Sequence, residues 1–257
     1  MAGEAGVVHG RSISEGAPSL YSVARRWQRW PMTSSYRAIV VGATGAVGSA
    51  LVRELLRSAR CTGVTLLVRR PTEAFAGDEG AAKLSVRVID FEKLEAVTEV
   101  EARGHEVAFC TMGVGQPSKV SREELRRVDL EQASAFARGC KAAGVQHISL
   151  LGAAGASVGS PAYYLKMKGE TEAAFTAMGF ARASFYRPSL LVTREIRYGL
   201  QDRVTQWAFP KISWALPSKW REIRVEDLGR AMMLNAEREA KGAVEVLHHE
   251  DYLALLG

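Results

Sequence analysis

Cysteine is scarce in this chain. Cys61, Cys110 and Cys140 are the three in 257 residues, and they form neither a CxxC pair nor a zinc-ligand spacing. A disulfide framework is therefore not expected, and a reducing compartment is. No apolar run approaches the roughly 18 residues that a spanning helix needs, so no transmembrane segment is expected. No run of Lys and Arg is interleaved with aromatics. The 34 basic residues are mostly mixed among 28 acidic ones, and nucleic acid is not an expected partner. His248-His249-Glu250-Asp251 lacks both HExxH spacing and a distant partner, so no metal site is expected. What the chain does have is 47% hydrophobic residues, enough for one substantial core, and a net charge of +6, which suits anionic ligands.

Residues 1–35 lack the strand–helix rhythm that follows. They are rich in Gly, Ser and Ala, and their four arginines face two acids, Glu4 and Glu15. A basic, aromatic stretch, Ala24-Arg25-Arg26-Trp27-Gln28-Arg29-Trp30-Pro31, closes the segment. It reads either as a mitochondrial presequence or as a disordered extension, so both cytoplasmic and mitochondrial locations are open.

From Arg37 the pattern becomes regular. Ala38 to Val41 is a short β-branched run, and Ala46 to Ser58 carries Val47, Ala50, Leu51 and Leu55 at helical spacing. Further strands are predicted at Val64–Val68, Val86–Ile89, Val107–Thr111, His147–Leu151 and Ala183–Tyr186. Helices are predicted at Arg122–Ala143 and Ala162–Met178. Strands alternating with helices imply an α/β fold with a doubly wound parallel sheet, a Rossmann-type nucleotide-binding domain over residues 36–257. After Pro188 the pattern loosens to a helix over Val225–Arg238, a strand near Val244–Leu247 and a terminal helix ending at Leu256. Residues 189–257 read as a small substrate-side subdomain. Trp207, Trp214 and Trp220 in it could wall a substrate pocket, pack the subdomain or meet a protein partner.

Gly42-Ala43-Thr44-Gly45-Ala46-Val47-Gly48 follows a predicted strand and opens a predicted helix, the setting of a dinucleotide-binding turn. The first glycine permits the turn, the second admits phosphate to the backbone, and the third lets helix and strand pack closely. Unpaired N–H groups at the helix start face the pyrophosphate. The second strand ends in Arg69-Arg70, and no acid follows before Glu73. Guanidinium groups suit a 2′-phosphate, where an acid would suit a free ribose hydroxyl, so the expected cofactor is NADP(H). Asp90-Phe91, after the third strand, is placed to border the adenine. Gly113, ending Cys110-Thr111-Met112-Gly113, is placed to line the cofactor. Arg187, before Pro188-Ser189, either shapes the nicotinamide side or makes a structural salt bridge.

Tyr164-Leu165-Lys166-Met167-Lys168 places Tyr164 and Lys168 four residues apart, on one helix face. A lysine beside a tyrosine eases proton transfer from the phenol, which suits acid–base work on a carbonyl or alcohol. Tyr163 is the poorer candidate, because Met167 stands four residues on.

Taken together, these blocks resemble the short-chain dehydrogenase/reductase superfamily. Within it the similarity is to the atypical TIP30 branch and its fungal mitochondrial relatives, from about Ala38 to near the C-terminus. It rests on Val41 to Gly48, Arg69-Arg70, Asp90-Phe91-Glu92-Lys93-Leu94 and Arg127-Val128-Asp129. It continues through Tyr164, Lys166-Met167-Lys168-Gly169-Glu170 and Arg187-Pro188. The resemblance implies NADPH binding with a Tyr164/Lys168 pair, and either oxidoreductase activity on an unidentified small molecule or a non-catalytic regulatory role with a protein partner. The family pattern has two serines eleven and twelve residues before the tyrosine. Here those places are Ala153 and Gly152, and Ser149 and Ser157 do not match them.

Overall fold

A computed structural model describes residues 35–193 and 221–257. The N-terminal basic stretch and Trp207, Trp214 and Trp220 lie outside the described residues. The strands are β1 (Tyr36–Val41), β2 (Cys61–Val68), β3 (Leu84–Val88), β4 (Val107–Cys110), β5 (His147–Leu151), β6 (Arg182–Tyr186), β7 (Leu191–Val192), β8 (Ile223–Arg224) and β9 (Val244–Leu247). The α-helices are α1 (Ala46–Arg57), α2 (Leu94–Glu101), α3 (Arg122–Arg126), α4 (Ala133–Ala142), α5 (Tyr163–Ala177), α6 (Val225–Glu237) and α7 (His249–Leu256).

Seven strands form one parallel sheet in the order β3-β2-β1-β4-β5-β6-β9. This is the doubly wound arrangement that the alternating pattern predicts. Its order reverses between β1 and β4, which opens a crevice above their carboxyl ends. The central strands read as unbroken apolar runs because both of their faces are covered. In β1, Ala38 and Val40 pack with Leu51, Leu55 and Met232 on one face. Ile39 and Val41 pack on the other with Phe136, Ile148 and Phe175.

The carboxyl-terminal elements are built into this core. Strand β9 pairs in parallel with β6, and α6 lies on α1. A Cβ at Gly229 would sit 2.6 Å from the backbone nitrogen of Leu51, so glycine there sets how closely those two helices approach. Polar groups bind the β6–β9 seam: the Arg182 guanidinium reaches Glu245 at 2.8 and 3.0 Å, and Ser184 donates to the same carboxylate at 2.9 Å. His248 and Asp251 form a reciprocal cap on α7, which gives the His-His-Glu-Asp run a structural account.

Element edges differ modestly from the sequence reading: β2 starts three residues earlier, and β3 spans Leu84–Val88. The larger difference is in the helix predicted over Arg122–Ala143. It is interrupted by a π-helical stretch, Arg127–Gln132, between α3 and α4. Periodicity alone misses it, because an extra residue in one turn barely disturbs an apolar stripe. Such bulges gather at functional sites.

Candidate functional site

The glycine turn divides its labour in a way that spacing alone does not reveal. Gly42 has φ +84°, and a Cβ there would lie 2.5 Å from the Met112 nitrogen. Both the turn and the closeness of β4 therefore demand glycine. A Cβ at Gly48 would lie 2.2 Å from the Gly42 oxygen and 2.7 Å from Thr111 Oγ1, so this position packs helix α1 onto the turn. Gly45 differs from both. Its backbone is extended (φ −71°, ψ 168°), it starts α1, and a Cβ there would meet only the Gly42 oxygen, at 3.2 Å. What a side chain at Gly45 would occupy is the exposed space over the helix N-terminus, where phosphate oxygens bind free N–H groups. These residues fit a dinucleotide pyrophosphate.

A cleft of about 480 Å³ runs from this turn across the carboxyl ends of β2, β1 and β4. It brings together Gly42, Thr44, Gly45, Arg69, Arg70, Phe91 and Gly113, with Met112, Val128 and Gln132 also on its walls. No Asp or Glu lines it among the described residues. Arg69 stacks its guanidinium over the Phe91 ring, 5.8 Å from the centroid. Ala46 faces a neighbouring cavity beside Thr44, and Val47 and Gly48 are buried behind the turn. The Asp90 carboxylate accepts the Glu92 N–H at 3.0 Å and so caps the 3-10 turn that presents Phe91. Burial pushes the Cys110 thiol up to about 12, which keeps it protonated and inert beneath the cleft.

Behind Gly113, which lines the cleft, lies Lys168, on α5. Its ammonium is 2.6 Å from Asp129 Oδ1, with side-chain exposures of 7% and 0%. The other Asp129 oxygen accepts the Val114 N–H at 3.0 Å. A Cβ at Gly113 would lie 3.0 Å from Asp129 Oδ1 and 3.3 Å from Lys168 Nζ, so glycine lets the end of β4 rest against this pair. The π-helical stretch frees the Asp129 carbonyl, which accepts Thr171 Oγ1 at 2.8 Å. Burial works against the Lys168 charge, but Tyr164 and Asp129 outweigh it and hold the ammonium above the usual lysine range.

Lys168 Nζ is also 5.8 Å from the centroid of the Tyr164 ring. Tyr164 is half-buried and opens onto a second cavity of about 230 Å³, shared with Gly152, Ala153, Pro188 and Ser189. Tyr163 turns away, donating to the Arg122 carbonyl at 3.3 Å beneath the Arg122 guanidinium. Arg187 is engaged by Glu172 of α5, with Nε 3.1 Å from Oε1.

Two carboxylates of this region escape the sequence reading as site residues, Asp129 and Glu172. Each is an acid buried within a helical segment, and in each case the partner that makes burial tolerable comes from another element.

Comparison with known proteins agrees with the geometry. A family model described as NAD(P)H-binding matches residues 42–184. The chain is 31% identical to protein HTATIP2 (TIP30) of Rattus norvegicus over 219 residues, covering 84% of this chain and 87% of that protein. It is 27% identical to the mitochondrial protein FMP52 of Candida albicans, covering 80% and 90%. Among solved structures, MoeE5 with UDP-glucuronic acid and NAD superposes with a TM-score of 0.65 at 20% identity, covering 83% of this chain and 76% of that one. The Citrobacter sp. triphenylmethane reductase with NADP(H) superposes at 0.58 and 17%, covering 82% and 68%, and these two show the fold alone. The chain belongs to the NAD(P)H-binding family, with HTATIP2 and the FMP52 proteins among its relatives.

Proposed function

We propose that the protein is an NADP(H)-dependent oxidoreductase acting on a carbonyl or alcohol, with Tyr164 and Lys168 as its catalytic pair. The observation that carries this reading is that Tyr164 lines a cavity of its own with Lys168 Nζ 5.8 Å from its ring, while the same ammonium lies close behind Gly113 of the cofactor cleft. Gly42, Thr44, Gly45 and the start of α1 would hold the pyrophosphate, Arg69 and Arg70 the 2′-phosphate, and Phe91 the adenine side, while Gly113 lets backbone approach. When bound, NADPH supplies a hydride. Tyr164 gives its proton to the substrate oxygen as charge builds there, and the Lys168 cation lowers the cost of the phenolate left behind. Asp129 fixes the ammonium in place and balances its charge.

Arg70→Glu is expected to lower the ratio of NADPH to NADH affinity by about 10- to 100-fold, the worth of one charge-assisted contact. Titration with each cofactor measures it, and an unmoved ratio sinks the NADP(H) assignment.

A second reading is a non-catalytic NADPH-binding scaffold or regulator with a protein partner. Gly152 and Ala153 favour it, because neither offers a hydroxyl beside Tyr164. Purified protein presented with NADPH and a panel of carbonyls separates the two. The oxidoreductase reading expects turnover, reduced by about 10²–10⁴-fold in Tyr164→Phe with cofactor affinity kept. Binding with no turnover of any compound contradicts it. The stretch just after Pro188 is the substrate-side wall in this proposal, since Ser189 and Leu191 line the Tyr164 cavity. A mitochondrial location is proposed over a cytoplasmic one on the strength of the FMP52 relatives. Among the described residues no helix is long and apolar enough to cross a membrane.

A further inference from the structure

An oxygen that gains charge as its carbon is reduced is stabilised best by more than one fixed donor. Tyr164 is one donor, and the residues at the end of β5 cannot supply the second. Ala153 presents a methyl group. A Cβ at Gly152 would lie 2.7 Å from Glu172 Oε1 and 3.2 Å from the Tyr186 oxygen, so a side chain there would have to displace the Glu172 carboxylate. The Glu172–Arg187 ion pair thus fills the space that a residue-152 side chain would need. Ser149 is fully buried with its hydroxyl toward His147, and Ser157 is exposed and accepts the Gly159 N–H.

A second residue with a hydroxyl nonetheless lines the Tyr164 cavity. Among the described residues, Tyr164 and Ser189 are its hydroxyl-bearing side chains. Ser189 is held from both sides. The Pro188 carbonyl accepts the Ala154 N–H at 2.9 Å, tying the segment to the loop after β5, and the Leu190 carbonyl accepts the Ile223 N–H at 3.0 Å, tying it to β8. The other walls are Gly152, Ala153, Ala154, Leu165, Pro188 and Leu191, with no charged side chain among the described residues.

We propose that Ser189 is a further catalytic residue, donating the second hydrogen bond to the substrate oxygen, and that the substrate is a neutral carbonyl compound or its alcohol. This rests on the oxidoreductase reading above. The probes are benzaldehyde, cyclohexanone and hexanal with NADPH, and benzyl alcohol in calorimetric titration of the NADP⁺-loaded full chain. Ser189→Ala is expected to lower kcat about 100-fold, the effect of losing one preorganised donor. It should also weaken benzyl alcohol binding about tenfold and leave NADPH affinity unchanged, which reports an intact fold. Ser189→Thr, which keeps the hydroxyl, should stay within about tenfold of the wild type. Wild-type rates and benzyl alcohol affinity in Ser189→Ala, with Tyr164→Phe inactive, overturn the serine assignment and leave the oxidoreductase reading standing. A wild-type chain that binds NADPH and reduces none of the three overturns both.

Discussion

Gly45→Glu is expected to weaken NADPH binding by at least about 100-fold while shifting the thermal midpoint by no more than a few degrees. The backbone at Gly45 is one that any residue adopts, and a side chain there meets little of the protein. It does enter the space over the start of α1, and a carboxylate would compete with phosphate for the same N–H groups. Gly48→Val, three residues on, should do the reverse. Its Cβ would fall on the Gly42 oxygen and Thr111 Oγ1, so stability should drop by about 3 kcal/mol, the upper range for overpacking. In a domain of this size that is roughly 6–12 °C. Circular dichroism melts beside cofactor titrations measure both. Equal losses of stability in the two variants would show that the turn's glycines are all structural.

Lys168→Met is expected to destabilise the protein by about 3–5 kcal/mol, or roughly 6–20 °C. The lysine is not merely a surface partner of Tyr164. Its ammonium meets a carboxylate with no exposed side-chain surface, 2.6 Å away, and removing it strands that charge. The double variant Lys168→Met with Asp129→Leu should recover most of the loss, because an apolar pair of similar size avoids the desolvation cost. A double-mutant cycle reads the coupling directly. A double variant no more stable than Lys168→Met alone would show that the stranded carboxylate is not the source of the loss. Both variants should be without turnover, so stability and catalysis separate here.

Much of this architecture was legible before any coordinates. Strands such as Ala38–Val41 are apolar on both faces because helices cover both, and that pattern survives in one dimension. The glycine turn was legible because it is local. So was the nearness of Tyr164 and Lys168, since helical spacing points the two the same way. What stayed hidden depends on residues far apart in sequence. Asp129 is 39 residues before its lysine, and Glu172 makes sense only once Arg187 returns to it from β6. The place of β9 in the sheet is of the same kind, because its partner β6 lies 61 residues upstream at Ser184–Glu245. Gly152 is the most instructive residue. In the sequence it is a missing serine, whereas in the fold it is a position where a side chain would press on the Glu172 carboxylate.

The central claim is that backbone amides at the start of α1 hold a dinucleotide pyrophosphate. Isothermal titration calorimetry of NADPH into the full chain tests it most directly, run beside NADH and beside the Gly45→Glu variant. The account predicts a single saturating site, tighter for NADPH than for NADH, and no measurable heat of binding in the variant. Saturation of the variant with wild-type affinity, or no saturation of the wild type, would contradict it.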